Sequence, residues 1–180
     1  YIDGEDGESI NDVFSAIERS MKLINQMRQL ETAVSTGEGL KAYSVREIVD
    51  KVIKGFPRIE FKVEGEGKVL ADEALIPVLE NILRNAQIHG KTNKVEIKIG
   101  EEGQMIVIGI ADYGKGIPSK IKDKLFQEGF TSGGPGHSGL GLFIVKKTIE
   151  RYGGSVAVKD NKPKGAVFIL NLPKAKEDKK

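Results

Sequence analysis

Cysteine and tryptophan are absent from this chain, and histidine occurs only as His89 and His137. Without cysteine there is no disulfide framework, no thiolate nucleophile and no thiolate zinc site. Two histidines argue against a histidine-rich metal centre. No apolar run approaches the length needed to span a bilayer, and no secretory leader is visible. Neither sign of charge dominates: 28 Lys+Arg face 26 Asp+Glu, a net charge of +2. Charge alone therefore points to neither nucleic acid nor an anionic membrane. The first residue is Tyr1 rather than Met. The expectation is a cytoplasmic piece cut from something longer, with any membrane tether in parts outside this chain.

Glycine is plentiful, and its densest run organises the rest: Gly133-Gly134-Pro135-Gly136-His137-Ser138-Gly139-Leu140-Gly141, followed by an apolar-periodic segment from Leu142 to Tyr152. Such a run forms no stable element by itself, because each glycine loses much backbone entropy on ordering. It can bring backbone N–H groups close to a bulky anion, and the next helix adds its unpaired N–H groups and the positive end of its dipole. That makes a polyphosphate cradle; a flexible surface loop is the plainer alternative. The stretch Gly134 to Gly139 also fits the dinucleotide pattern G-x-G-x-x-G, with Asp160 about twenty residues on. The fingerprint needs a buried strand entering the first glycine, and Leu125 to Ser132 is too broken by polar residues and glycine to be one. No G-x-x-x-x-G-K-[ST] occurs, which excludes a P-loop.

Residues 1–8, acidic and glycine-containing, read as a loop or frayed terminus. From Ser9 to Val34, Phe14, Ile17, Met21, Ile24, Met27, Leu30 and Val34 recur at three- and four-residue steps, predicting one long amphipathic helix with a narrow seam. A lone helix of this kind is marginal in water, so the seam is expected to meet a helix of another chain or of a missing N-terminal part. Residues 35–39 are the linker, dividing 1–39 from a second unit, 40–180. Ser44 caps a short helix, Val45 to Lys54, with Glu47 at the capping-box position. Ile59, Phe61 and Val63 alternate as a strand, which turns at 65–67. A periodic helix follows from about Glu73 to His89, with Leu75, Val78, Leu79, Ile82, Leu83 and Ala86 as its core face. Asn81, Asn85 and His89 stand four apart along a neighbouring face. Two hairpins, 95–99 with 106–110 and 156–158 with 166–172, flank the glycine run. A short helix from about Ser119 to Phe126 precedes it. The pattern predicts an α/β fold, a two-layer sandwich in which helices cover a mixed sheet, preceded by the long helix.

Three segments carry candidate chemistry. Asn85 is either a solvated flank or a neutral oxygen donor for Mg²⁺, a hard cation that shares its ligands with substrate phosphates. Asp112 is either a turn-forming residue or a buried carboxylate able to accept from an adenine amino group. With the glycine run, these segments have a recognisable order. Glu80-Asn81-Ile82-Leu83-Arg84-Asn85-Ala86, then Asp112-Tyr113-Gly114-Lys115-Gly116-Ile117-Pro118, then Leu125-Phe126 with Phe130-Thr131, then Gly136 to Leu142 resemble the N, G1, F and G2 boxes of sensor histidine kinases. These belong to the ATPase superfamily shared with gyrase and MutL (GHKL). The resemblance covers about Tyr43 to Pro173, and Ala16 to Glu31 looks like the second helix of the kinase dimerisation hairpin.

The resemblance implies ATP bound between the Asn85 helix and a mobile lid. It makes Asn85 the Mg²⁺ ligand, sets Asn81 near the phosphates, and gives Asp112 the adenine amine. Gly114 and Gly116 would let the base approach backbone, with Ile117 and His89 packing nearby. Gly136, Ser138, Gly139, Leu140, Gly141 and Leu142 would form the phosphate end, and Phe126 and Phe130 would anchor a lid running from Thr131 to Ser138. Hydrolytic relatives carry Glu where Asn81 stands, and an amide cannot act as a general base. Glu80 is adjacent but points about 100° away around the helix. The site is therefore expected to hold ATP for attack by a histidine on another helix, with Asn81 and Asn85 as the catalytic pair. No acceptor histidine lies in this chain, so autophosphorylation of the chain alone is not expected. Ile88 replaces a common basic residue, leaving charge on the phosphates to Mg²⁺, helix N-termini, Lys91, Lys115 or Lys146. A homodimer and a response regulator are the implied partners. A non-catalytic nucleotide-dependent regulatory module and an anti-sigma-type Ser/Thr kinase of the same fold are the alternatives.

Overall fold

A computed structural model describes residues 5–35, 39–131 and 138–176. Helix α1 spans Glu5–Val34. It is followed by β1 (Lys41–Ser44), α2 (Val45–Val52), β2 (Glu60–Gly65), β3 (Lys68–Ala71), α3 (Leu75–Asn85), β4 (Lys94–Glu102) and β5 (Met105–Asp112). The chain ends with α4 (Ser119–Lys122), α5 (Gly141–Arg151), β6 (Ser155–Asp160) and β7 (Ala166–Pro173). Five strands form one mixed sheet in the order β2-β4-β5-β7-β6, parallel only between β2 and β4. The expected α/β sandwich is present.

The core lies between one sheet face and the helices α2, α3 and α5. Strands β5 and β7 bury every second residue. Ile106, Ile108 and Ile110 of β5 meet Leu172, Leu170 and Phe168 of β7 in register. Against them pack Val78, Leu79 and Ile82 of α3 and Val145 and Ile149 of α5, all nearly inaccessible. Each such aliphatic side chain contributes about 1.5–3 kcal/mol on leaving water. Period-two alternation carries a polar passenger inward too: Asp112 falls in phase with Ile106, Ile108 and Ile110 and is only 4% exposed.

Several boundaries differ from the sequence reading. The Ser44 cap forms, its hydroxyl accepting from the Glu47 N–H at 3.3 Å. Strands β1 and β3, which the reading did not anticipate, make a separate antiparallel pair with Lys41 opposite Ala71. Four residues each are too few for alternation to register. The helix expected to reach His89 stops at Asn85 and widens into a π turn, Ala86–Gly90, before Lys91 turns left-handed at φ 52°. Helix α4 is four residues rather than eight. Strands β4 and β5 run on to Glu102 and from Met105, tightening the hairpin to Gly103 and Gln104.

Helix α1 packs against α5. Most of its predicted seam stays in water: Phe14, Ile17, Met21, Ile24 and Met27 are exposed.

Candidate functional site

A cleft of about 1180 Å³ opens between α3 with its π turn, the 112–118 loop, the β6–β7 loop, the start of α5, and α1. Its deep end is built on Asp112. Burial pushes the Asp112 carboxyl above the usual carboxylate range, and N–H groups of Gly114 and Ala166 offset part of that rise. Gly114 donates to Oδ1 at 2.9 Å. Backbones crowd this end so closely that side chains are excluded. A Cβ on Gly114 would lie 2.2 Å from the Gly90 carbonyl oxygen, and one on Gly165 would lie 2.0 Å from that of Asp112. The Lys115 N–H donates to the Gly90 carbonyl at 2.9 Å, and the Asn161 amide donates to the Asp112 carbonyl at 2.8 Å. Glycine at 114 thus serves contact between the π turn and the 112–118 loop; Gly114 itself does not line the cleft.

The opposite end is formed by α3, α5 and α1. The Oδ1 of Asn81 lies 3.2 Å from where a Cβ on Gly141 would stand, so the bare Gly141 backbone admits the amide. Leu140 precedes α5 without a side-chain cap, leaving first-turn N–H groups of that helix without intrahelical acceptors. Ser138 donates to Oε1 of Gln26 on α1 at 2.7 Å, and its hydroxyl stands 3.4 Å from the Leu140 N–H.

Of the residues singled out from the sequence, Asn81, Asn85, His89, Asp112, Gly116, Ile117, Phe130, Ser138, Gly139, Gly141 and Leu142 line this one cleft. Phe126 stands behind it, edge-on to Phe168 at 6.4 Å between ring centroids. Leu140 does not line it, and Gly136, with residues 132–137 of the expected lid, lies outside the described residues. Of the three lysines considered for the phosphates, Lys115 lines the cleft and Lys91 and Lys146 do not. The sequence reading missed Arg84, the amides Asn25, Gln26 and Gln29 of α1, and Asn161, Lys164 and Gly165 of the β6–β7 loop. Arg84 was within reach of it, three residues from Asn81. The others carry no local signal.

The donor set fits an adenine nucleotide with a hard cation. The buried carboxylate offers an acceptor shielded from water, as recognition of an amino group requires. Among the described residues no three His, Asp or Glu side chains converge to hold a metal. A divalent cation here would rest on a neutral oxygen such as that of Asn85 and on ligand phosphates, which is how Mg²⁺ is commonly held.

Fold and cleft together define a nucleotide-binding ATPase-type domain. Residues 71–176 match the family described as histidine kinase-, DNA gyrase B- and HSP90-like ATPase, and the chain belongs to this family. Among its relatives, the sensor histidine kinase CitA of Klebsiella pneumoniae is 34% identical over 115 residues, 61% of this chain and 21% of that protein. The catalytic domain of histidine kinase ThkA superposes with a TM-score of 0.66 at 28% identity, covering 75% of this chain and 95% of that one. ThkA in complex with the response regulator TrrA shares the fold at a TM-score of 0.69 and 20% identity, over 97% of this chain and 53% of that one. The chain spans about a fifth of the length of the curated relatives it matches.

Proposed function

We propose that residues 40–180 are the ATP-binding catalytic domain of a sensor histidine kinase, and that 1–39 supply one helix of its dimerisation hairpin and a linker. The observation that carries this is the union of Asp112, Asn81, Asn85, Gly139 and Gly141 around a single cleft. Asp112 accepts from the adenine amine. Gly116, Ile117 and His89 flank the base, and Asn85 holds Mg²⁺. The N–H groups at Gly139 and Gly141, with the uncapped start of α5, face the phosphates. When bound, Mg²⁺ neutralises charge on the phosphates and stabilises the transferring group. The chain's own work is to orient and to withhold water: Asn81 cannot deprotonate a water molecule, so hydrolysis is not promoted. Transfer forms a phosphorus–nitrogen bond to a histidine on the other hairpin helix and releases ADP. The exposed seam of α1 supports a homodimer through that hairpin in the intact cytoplasmic protein, and the kinship with sensor kinases supports a response regulator as downstream acceptor.

The test mixes the chain with ATP, Mg²⁺ and a separate helical hairpin bearing an acceptor histidine. Acid-labile label on the hairpin, lost in Asn85→Ala and Asp112→Ala, is the expected result. Nucleotide binding without transfer would instead mark a regulatory module, and acid-stable label on serine a Ser/Thr kinase.

A further inference from the structure

The cleft must balance a triphosphate, yet its cations are unevenly placed. Among the described residues that line it, the cationic side chains are Arg84, Lys115 and Lys164. Lys115 is tied by its N–H to the Gly90 carbonyl, beside Asp112. Lys164 precedes Gly165, whose missing Cβ would meet the Asp112 carbonyl oxygen. The backbones of both therefore stand at the adenine end. Arg84 is one helical turn beyond Asn81, the residue that touches Gly141 at the far end. Arg84 is exposed and makes no ion pair with a described residue, not even with Glu80 one turn earlier. An arginine on an exposed helix face commonly serves solubility alone. This one lies on the wall of the cleft, on the same helix as Asn81 and Asn85, and is the cleft-lining cation among the described residues whose backbone stands on that wall.

We infer that Arg84 is a phosphate-binding residue of this cleft, its guanidinium placed on the α3 wall to take the terminal phosphates of the nucleotide. The inference rests on the ATP-binding reading above. A planar guanidinium suits the task because it donates in pairs to phosphate oxygens and carries its charge at every working pH.

The discriminating experiment compares dissociation constants of ATP, ADP and AMP, with Mg²⁺, for the whole chain, Arg84→Gln, Arg84→Lys and Lys115→Gln. Arg84→Gln should weaken ATP by about ten-fold or more and AMP by less than about two-fold, as for a lost charge-assisted pair. Arg84→Lys should fall between, and Lys115→Gln should affect the three nucleotides alike. Thermal unfolding without nucleotide should not change in Arg84→Gln. Unchanged ATP affinity, or an equal loss for ATP and AMP, overturns the assignment to phosphate while leaving the ATP site standing. If the unaltered chain binds none of the three nucleotides, the ATP-binding reading falls first and the Arg84 assignment with it.

Discussion

Replacing Asp72 by Asn should destabilise the fold by about 2–3 kcal/mol, although Asp72 touches no part of the cleft. Asp72 stands just before α3. Its Oδ1 accepts from the Ala74 N–H at 3.0 Å, from Nη2 of Arg151 at 2.9 Å and from the Tyr152 hydroxyl. Its Oδ2 lies 2.8 Å from the same guanidinium nitrogen. The Arg151 side chain is 5% exposed, and its Nε has no acceptor among the described residues. Stripping one partner from a buried pair costs about 3–5 kcal/mol because the other charge stays buried and unpaired. Asp72 is 29% exposed, so water screens part of the interaction and brings the expected cost down to about 2–3 kcal/mol. Asparagine keeps an oxygen for the Ala74 N–H, so that hydrogen bond survives and the change reports the charge. For a domain of this size the midpoint should drop roughly 4–12 °C.

The pH dependence supplies a second readout. Burial alone would raise the Asp72 carboxyl, but hydrogen bonds from Tyr152, Arg151 and the Ala74 N–H hold it below its usual value. A lowered folded-state value gives stability that is present above pH 3.8, the carboxyl's unperturbed value, and is lost as pH falls through the folded value. Urea unfolding followed by circular dichroism should show the gap between the two proteins at neutral pH and its closing in acid. Asp112, shifted the other way, is common to both proteins and cancels. A gap under about 0.5 kcal/mol at neutral pH, within the range of ordinary surface substitutions, would refute the reasoning. So would a gap unaltered in acid. The cluster joins the start of α3 to the end of α5, the two helices that bring Asn81 to Gly141.

Two further outcomes are expected. Gly165→Ala should lower the unfolding midpoint and abolish nucleotide binding, since a Cβ at φ 117° would sit 2.0 Å from the Asp112 carbonyl oxygen; Gly100→Ala, with nothing within 4 Å, should be within about 0.5 kcal/mol of the parent in urea titration. ATP affinity measured by calorimetry should decline as pH falls towards the raised Asp112 value, because the anionic carboxylate is complete only above it; a flat profile down to pH 4 would argue against Asp112 as the amine acceptor.

Local chemistry in the sequence determined a good part of this protein. Alternation along Ile106, Ile108 and Ile110 marked the strand and its core face, because period two leaves a strand residue one of two sides. The choice between a turn-forming and a buried Asp112 fell to the structure, where it is in phase with them. The resemblance carried by the Asn81–Asn85 segment and by the glycines at 139 and 141 pointed to two walls of the cleft, and all four line it. The seam of α1, unmatched by any second long helix, indicated a face that the fold indeed leaves in water. The tertiary structure alone decided what closes the site. The Asn161 amide reaches the Asp112 carbonyl across 49 residues, and Ser138 reaches Gln26 across 112. The π turn at 86–90 breaks a helix whose periodicity runs on unbroken in the sequence, bringing the Gly90 carbonyl to the Lys115 N–H. Such contacts leave no periodic trace, since they depend on where the packed sheet and helices set distant backbones rather than on which residues stand side by side along the chain.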